Sequence, residues 1–198
     1  LLFDDKYRVK IATRNINIPG VQNFRDLGGY PSYSTKKQMR WGMIYRSAEI
    51  DSLECSSRRE LKNLGIKTLI DLRASSEIGR QSPLQKGFNV VHIPLATGDM
   101  EDILKGIREE KIKCDTVYRM VERMNRVLID QYTKEYRQIF DILLDKNSYP
   151  VVIHCSSGKG RTGIVSALVL AALGINEDII MEAVSYTHLR AHETEADL

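Results

Sequence analysis

No apolar run in the 198-residue chain approaches the length of about 20 residues that a membrane-spanning helix needs. Cysteine is scarce. The three present, Cys55, Cys114 and Cys155, are scattered. They form no Cys-x-x-Cys pair and no zinc-binding spacing, which argues against both a structural zinc site and a disulfide framework. There is a single tryptophan, and neither an internal repeat nor a low-complexity segment breaks the chain. Neither sign of charge dominates: 29 Lys and Arg stand against 26 Asp and Glu, a net charge of +3. That balance suits a small anionic ligand and does not suggest bulk binding to nucleic acid. What remains is the composition of an ordinary globular protein, 42% hydrophobic and 28% charged, long enough for one domain with a substantial core.

The pattern of elements is of the α/β kind. Short β-branched runs at Met39 to Tyr45, Lys67 to Leu72, Phe88 to Pro94 and Val151 to Ile153 alternate with helical spacings. Ser57 and Glu60 fit a capping box ahead of a helix that Gly65 stops. Helices are predicted over Met100 to Glu110, over Thr116 to Leu144 as one long amphipathic element, from Arg161 on, and over Glu177 to Val184 behind an Asn176 cap. Strands joined through helices by short links predict a central, mostly parallel sheet flanked by helices. Residues 1–15 alternate loosely and read either as an edge strand or as the end of a preceding β domain. Residues 16–184 read as the main domain. Residues 185–198 lose the apolar periodicity and look foreign to it. His188, His192 and Glu193 in that tail lack a third ligand motif, so no metal site is expected there.

The organising stretch is Val151 to Gly163, VVIHCSSGKGRTG. A buried strand ends at His154 and Cys155. A tight loop of Ser156, Ser157, Gly158, Lys159 and Gly160 then leads to Arg161, and a helix apolar nearly all round follows. Successive amides of such a loop form an anion nest, and the helix N-terminus adds unpaired donors and partial positive charge. Gly158 and Gly160 can take backbone angles closed to other residues. Arg161 presents a planar fork suited to two phosphate oxygens. The same field favours the thiolate of Cys155, a nucleophile. A nucleotide-binding loop is excluded, because Gly160 rather than Ser or Thr follows Lys159 and Ile153 stands where the first glycine belongs.

His154-Cys155, Gly158 and Arg161-Thr162-Gly163 resemble the Cys-x5-Arg signature of the cysteine-dependent protein tyrosine phosphatase superfamily. Asn23 to Tyr30 (NFRDLGGY), Tyr45-Arg46-Ser47 and Asp71-Leu72-Arg73 are similar to its bacterial tyrosine/serine phosphatase branch. The resemblance implies the phosphatase fold and phosphomonoester hydrolysis through a phosphocysteine, with no metal or cofactor. It makes Cys155 the nucleophile and gives the phosphate oxygens to Arg161 and the loop from Ser156 to Gly160. Thr162 is implied to hydrogen-bond the sulfur, and His154 to orient the loop. A proton donor should overhang the cradle. Asp71, at the carboxyl end of a strand, is favoured over Asp99, which follows the next strand; their alternatives are a salt bridge to Arg73 or Arg161 for Asp71 and a helix cap for Asp99. Arg25 and Asp26 either touch the active site or, the favoured reading, form a buried ion pair fixing a turn, and Arg46 is read either as a structural partner or as an aid to anion binding.

Relatives of the mycobacterial type carry an aspartate where Gly160 stands. The Gly-Lys-Gly-Arg form found here, with Lys159, is similar to that of lipid phosphatases. A phosphorylated protein is thus the expected substrate, with a phosphoinositide as the alternative and a phosphate-binding module without turnover as a third reading. Nothing in the sequence speaks to the oligomeric state. A working thiol favours the cytoplasm, while a chain opening at Leu1 leaves a secreted origin open.

Overall fold

The computed structural model describes residues 12–51, 55–78, 87–96, 109 and 114–184, with residues 2–3 and 7–8. Asp99, most of the helix expected over 100–110, and the tail from 185 lie outside the described residues. In chain order the elements are β1 (Leu2–Phe3), β2 (Tyr7–Arg8), β3 (Arg25–Asp26), β4 (Pro31–Ser32), β5 (Lys37–Gln38), β6 (Ile44–Ser47), α1 (Cys55–Asn63), β7 (Thr68–Asp71), β8 (Asn89–His92), α2 (Cys114–Gln131), α3 (Thr133–Leu144), β9 (Val151–His154), α4 (Gly160–Ala172) and a last helix, α5, over 177–184.

A five-stranded sheet in the order β3-β6-β9-β7-β8 carries the fold. Every neighbouring pair is parallel except the β3 edge, which runs antiparallel to β6. β9 lies in the middle and is buried throughout, which is why its sequence is an unbroken apolar run rather than an alternating one. Alternation along the strands divides the core between two faces. Val151, Ile153, Ile70 and Ile44 pack with Leu128, Ile139, Leu143 and Val165 from α2, α3 and α4. Val152, Leu69 and Tyr45 turn the other way onto Leu61 of α1, Ile18 and Phe24.

Residues 2–3 and 7–8 pair with each other as an antiparallel ribbon, and Asn15 bridges Arg25 antiparallel at the β3 edge of the sheet. Three sequence expectations are corrected. The long helix is two, because Tyr132 leaves helical geometry at φ −106°, ψ 29°. Its hydroxyl donates to Ala96 O at 2.9 Å. The apolar stripe keeps its phase across that break, so periodicity alone cannot reveal it. Ser57 is no cap: α1 starts at Cys55, and the buried Ser57 hydroxyl donates to Pro19 O at 2.5 Å. Asp26 makes no ion pair with Arg25; its carboxylate accepts from the amides of Gly28 at 2.7 Å and Gly42 at 2.6 Å. Adjacent strand residues point to opposite faces, which parts the two side chains. The α5 start agrees with expectation, with Glu177 N donating to Asn176 Oδ1 at 2.8 Å.

Candidate active site

β9 delivers Cys155 to the carboxyl end of the sheet, where it is 1% exposed and unpaired. The loop beyond it is held from outside by its carbonyls. Ser156 O accepts from Glu49 N at 3.1 Å. Ser157 O accepts from Asn23 Nδ2 at 2.8 Å, and Gly158 O from Arg46 Nη2 at 2.8 Å. Lys159 O accepts from Gly163 N at 2.7 Å and from Arg46 Nη2 at 3.3 Å. In a planar trans peptide the N–H points opposite to the C=O. Tying these carbonyls outward therefore turns the amides of Ser157, Gly158, Lys159 and Gly160 inward, which is the nest an oxyanion requires. The start of α4 continues the ring with unpaired helix N-terminal donors.

The two glycines differ. Gly158 has φ +69°, and a Cβ there would come within 2.5 Å of Ser47 C and Ala48 N, so backbone packs on backbone. Gly160 has no such need: a Cβ would meet nothing within 4 Å. Of the two, only Gly158 uses the backbone freedom that both glycines offer.

Arg161, 8% exposed, closes the rim. Its guanidinium takes the Glu77 carboxylate end-on, Nη1 to Oε2 at 2.5 Å and Nη2 to Oε1 at 2.7 Å, and Nη2 reaches Ser156 Oγ at 3.2 Å. Burial opposes its charge, but Glu77 and then the sulfur of Cys155 hold Arg161 above its ordinary pKa. Glu77 also accepts from Ser156 Oγ at 2.7 Å and from Ala74 N at 2.7 Å. Burial pushes its pKa up, but Arg161, Ser156 and Ala74 outweigh that and bring it down to about 2.

Asp71 does reach the carboxyl end of β7, but as a structural carboxylate. It is 5% exposed and accepts from Arg73 N and Nε at 3.0 Å and from Nη2 at 2.7 Å. Burial would raise its pKa; Arg73 and then His154 hold it below the ordinary value. Asp71 thus makes the salt bridge to Arg73 that was its alternative reading. Arg73 also donates through Nη2 to Asp51 Oδ1 at 2.9 Å. His154 is 3% exposed, with Nδ1 at 3.9 Å from Asp71 Oδ1, and burial lowers its pKa, so the ring is neutral near pH 7. The Thr162 hydroxyl is buried and meets no hydrogen-bond partner among the described residues, Cys155 included. Lys159 is half-buried at the N-cap of α4.

Sequence reasoning missed Glu77 and Asn23, and it left Arg46 undecided. Glu77 is 84 positions from Arg161. Only its place just beyond Asp71-Leu72-Arg73 could have drawn notice. Asn23, in the same motif as Asp26, has φ +55°, a conformation asparagine tolerates better than most residues.

A cysteine-centred oxyanion cradle at the carboxyl edge of an α/β sheet defines the class of the site. The profile of the tyrosine phosphatase family matches residues 16–198, and the chain belongs to that family. It is 31% identical over 186 residues to the triple specificity protein phosphatase PtpB of Mycobacterium tuberculosis, covering 83% of this chain and 66% of that relative. It is 25% identical over 157 residues to a tyrosine-protein phosphatase of Nostoc commune, covering 77% of this chain and 51% of the relative. The chain therefore spans less than two thirds of the length of either. Among solved structures, the Siw14 catalytic core shares the fold at a TM-score of 0.50 and 17% identity, over 73% of this chain and 70% of that one.

Proposed function

We propose that residues 16–184 form the catalytic domain of a phosphomonoester hydrolase that dephosphorylates phosphotyrosine, and also phosphoserine and phosphothreonine, through a phosphocysteine. The observation that carries this reading is the loop between Cys155 and Arg161, whose carbonyls from Ser156 to Lys159 are all engaged by hydrogen-bond donors. Similarity to PtpB and to the Nostoc commune phosphatase supports the substrate class.

Cys155 Sγ attacks phosphorus in line. An S–P bond forms as the ester P–O bond breaks, and the leaving oxygen takes up a proton. Water then attacks the phosphocysteine, the S–P bond breaks, and inorganic phosphate leaves with the thiolate restored. Inward amides and Arg161 stabilise the equatorial oxygens as charge builds on them. Glu77 holds the guanidinium through Nη1 and Nη2, leaving Nε for a substrate oxygen. With Asp71 committed to Arg73, proton donation falls to Asp99, the other aspartate the sequence offers.

Hydrolysis of p-nitrophenyl phosphate in the presence of a chelator tests the reading. Cys155→Ser should abolish it, and undiminished turnover in that variant would refute the mechanism. Rates on a phosphotyrosyl peptide and on a phosphoinositide decide the substrate class; a faster lipid reaction would move it to the headgroup. For the donor, Asp99→Asn should slow poor leaving groups far more than Asp71→Asn does, and the reverse order would return the role to Asp71.

A further inference from the structure

A second basic pocket lies behind the signature loop, on the far side of Arg46. β3 and β6 pair so that Arg25 stands directly opposite Arg46. Residues opposite each other in an antiparallel pair share a face, and like charges there repel. Arg46 is 1% exposed. Among the described residues, its Nε and Nη1 and the Nη2 of Arg25 are buried without a hydrogen-bond partner. Burial, reinforced by Arg25, pushes Arg46 down to about 10.

Arg25 and Arg46 border a cavity of about 560 Å³, which Arg14, Tyr30, Asp26 and Glu182 also line. The negative groups do little to balance the arginines. The Asp26 carboxylate is taken by the Gly28 and Gly42 amides, and Glu182 is exposed. Arg14 adds a third guanidinium, 3.9 Å from the Tyr30 ring centroid and 5.1 Å from that of Trp41. Buried donors of this kind are costly unless an acceptor meets them.

We propose that this pocket binds a phosphate-class dianion between Arg25 and Arg46, at a site separate from the catalytic cradle. Two guanidiniums match a double negative charge, and Arg14 adds a third at the same cavity. Arg46 serves both sites: Nη2 holds the carbonyls of Gly158 and Lys159, while the side chain also borders the pocket. An anion fixing this guanidinium braces the signature loop from behind, which couples the two sites.

Calorimetric titration with inorganic phosphate provides the test. The unaltered chain should show two classes of site. Arg25→Met should weaken one at least tenfold and leave the other, and Arg161→Met should do the reverse. The sole tryptophan, Trp41, reports the pocket through Arg14: its phosphate-dependent fluorescence change should persist in Arg161→Met and vanish in Arg25→Met. In phosphate-free buffer Arg25→Met should raise the thermal midpoint, since it removes an unbalanced repulsion. A parallel titration with glycerol phosphate separates the sources, tighter binding assigning the pocket to a monoester and weaker binding to free phosphate. A single class of site, lost in Arg161→Met and untouched in Arg25→Met, overturns the proposal. Should Arg161→Met fail to fold, the other two titrations decide: two classes falling to one supports the pocket, and one class in both, or two in both, sinks it.

Discussion

Gly158 and Gly160 stand two positions apart in one loop yet answer to different physics. A methyl at Gly158 would strike the Ser47–Ala48 backbone at 2.5 Å and would have to adopt φ +69°. Gly158→Ala should therefore lose turnover of p-nitrophenyl phosphate by at least about a hundredfold, since loop amides displaced by an ångström no longer meet the oxyanion. Gly160→Ala meets open space at a helix start. It should keep the fold and gain about 0.4–1 kcal/mol in urea denaturation by restricting the unfolded chain. Glu77 is the third case. Gln in its place keeps the size but loses the charged bidentate hold on Arg161, so kcat/KM should fall by roughly tenfold or more, in line with the about 1.5–3 kcal/mol of a charge-assisted bond. The nucleophile, the guanidinium and the nest were legible because they sit within one short stretch whose chemistry depends on local spacing. Glu77 and Asn23 were not, since each is a common residue whose partner is distant in sequence, and neither spacing nor periodicity encodes such a pairing.

At the scale of elements, the central strands were the most readable part of the chain. A strand covered on both faces must be apolar along its whole length, so β9 and β7 announce themselves as β-branched runs. The antiparallel β3 edge is short and carries Arg25 and Asp26, so no apolar pattern marks it. Helix boundaries were read less well for a related reason. The apolar stripe from Val117 to Leu143 continues in phase across Tyr132, while the break coincides with a tertiary hydrogen bond from that tyrosine to Ala96 O. Tyr132→Phe should cost about 0.5–1.5 kcal/mol in denaturant unfolding and leave the helical circular dichroism nearly unchanged. If α2 and α3 instead fuse in the variant, helicity rises, and the break was indeed held by that hydroxyl.

For the whole molecule, the buried charges around the site make stability depend on pH in one direction. Glu77 and Asp71 have folded pKa values below their ordinary 4.5 and 3.8, Glu77 at about 2, chiefly because Arg161 and Arg73 outweigh their burial. His154 lies below its ordinary 6.5, chiefly because it is buried. In each case the unfolded chain binds protons more readily than the folded one, so stability rises with pH through the window between the two values. The neutral His154 contributes in full above about pH 6.5, and its share declines as pH falls through that value. The carboxylates contribute in full above about pH 5, and their share declines toward the folded value of Glu77. Urea midpoints should therefore be flat above pH 7, fall gently between about pH 6.5 and 5, and drop more steeply below about pH 4.5. Glu77→Gln removes one of the two titrating carboxylates and should flatten only the acid limb. A midpoint that rises on acidification, or an acid limb unaffected by Glu77→Gln, would show that the Glu77–Arg161 pair does not hold the signature loop closed.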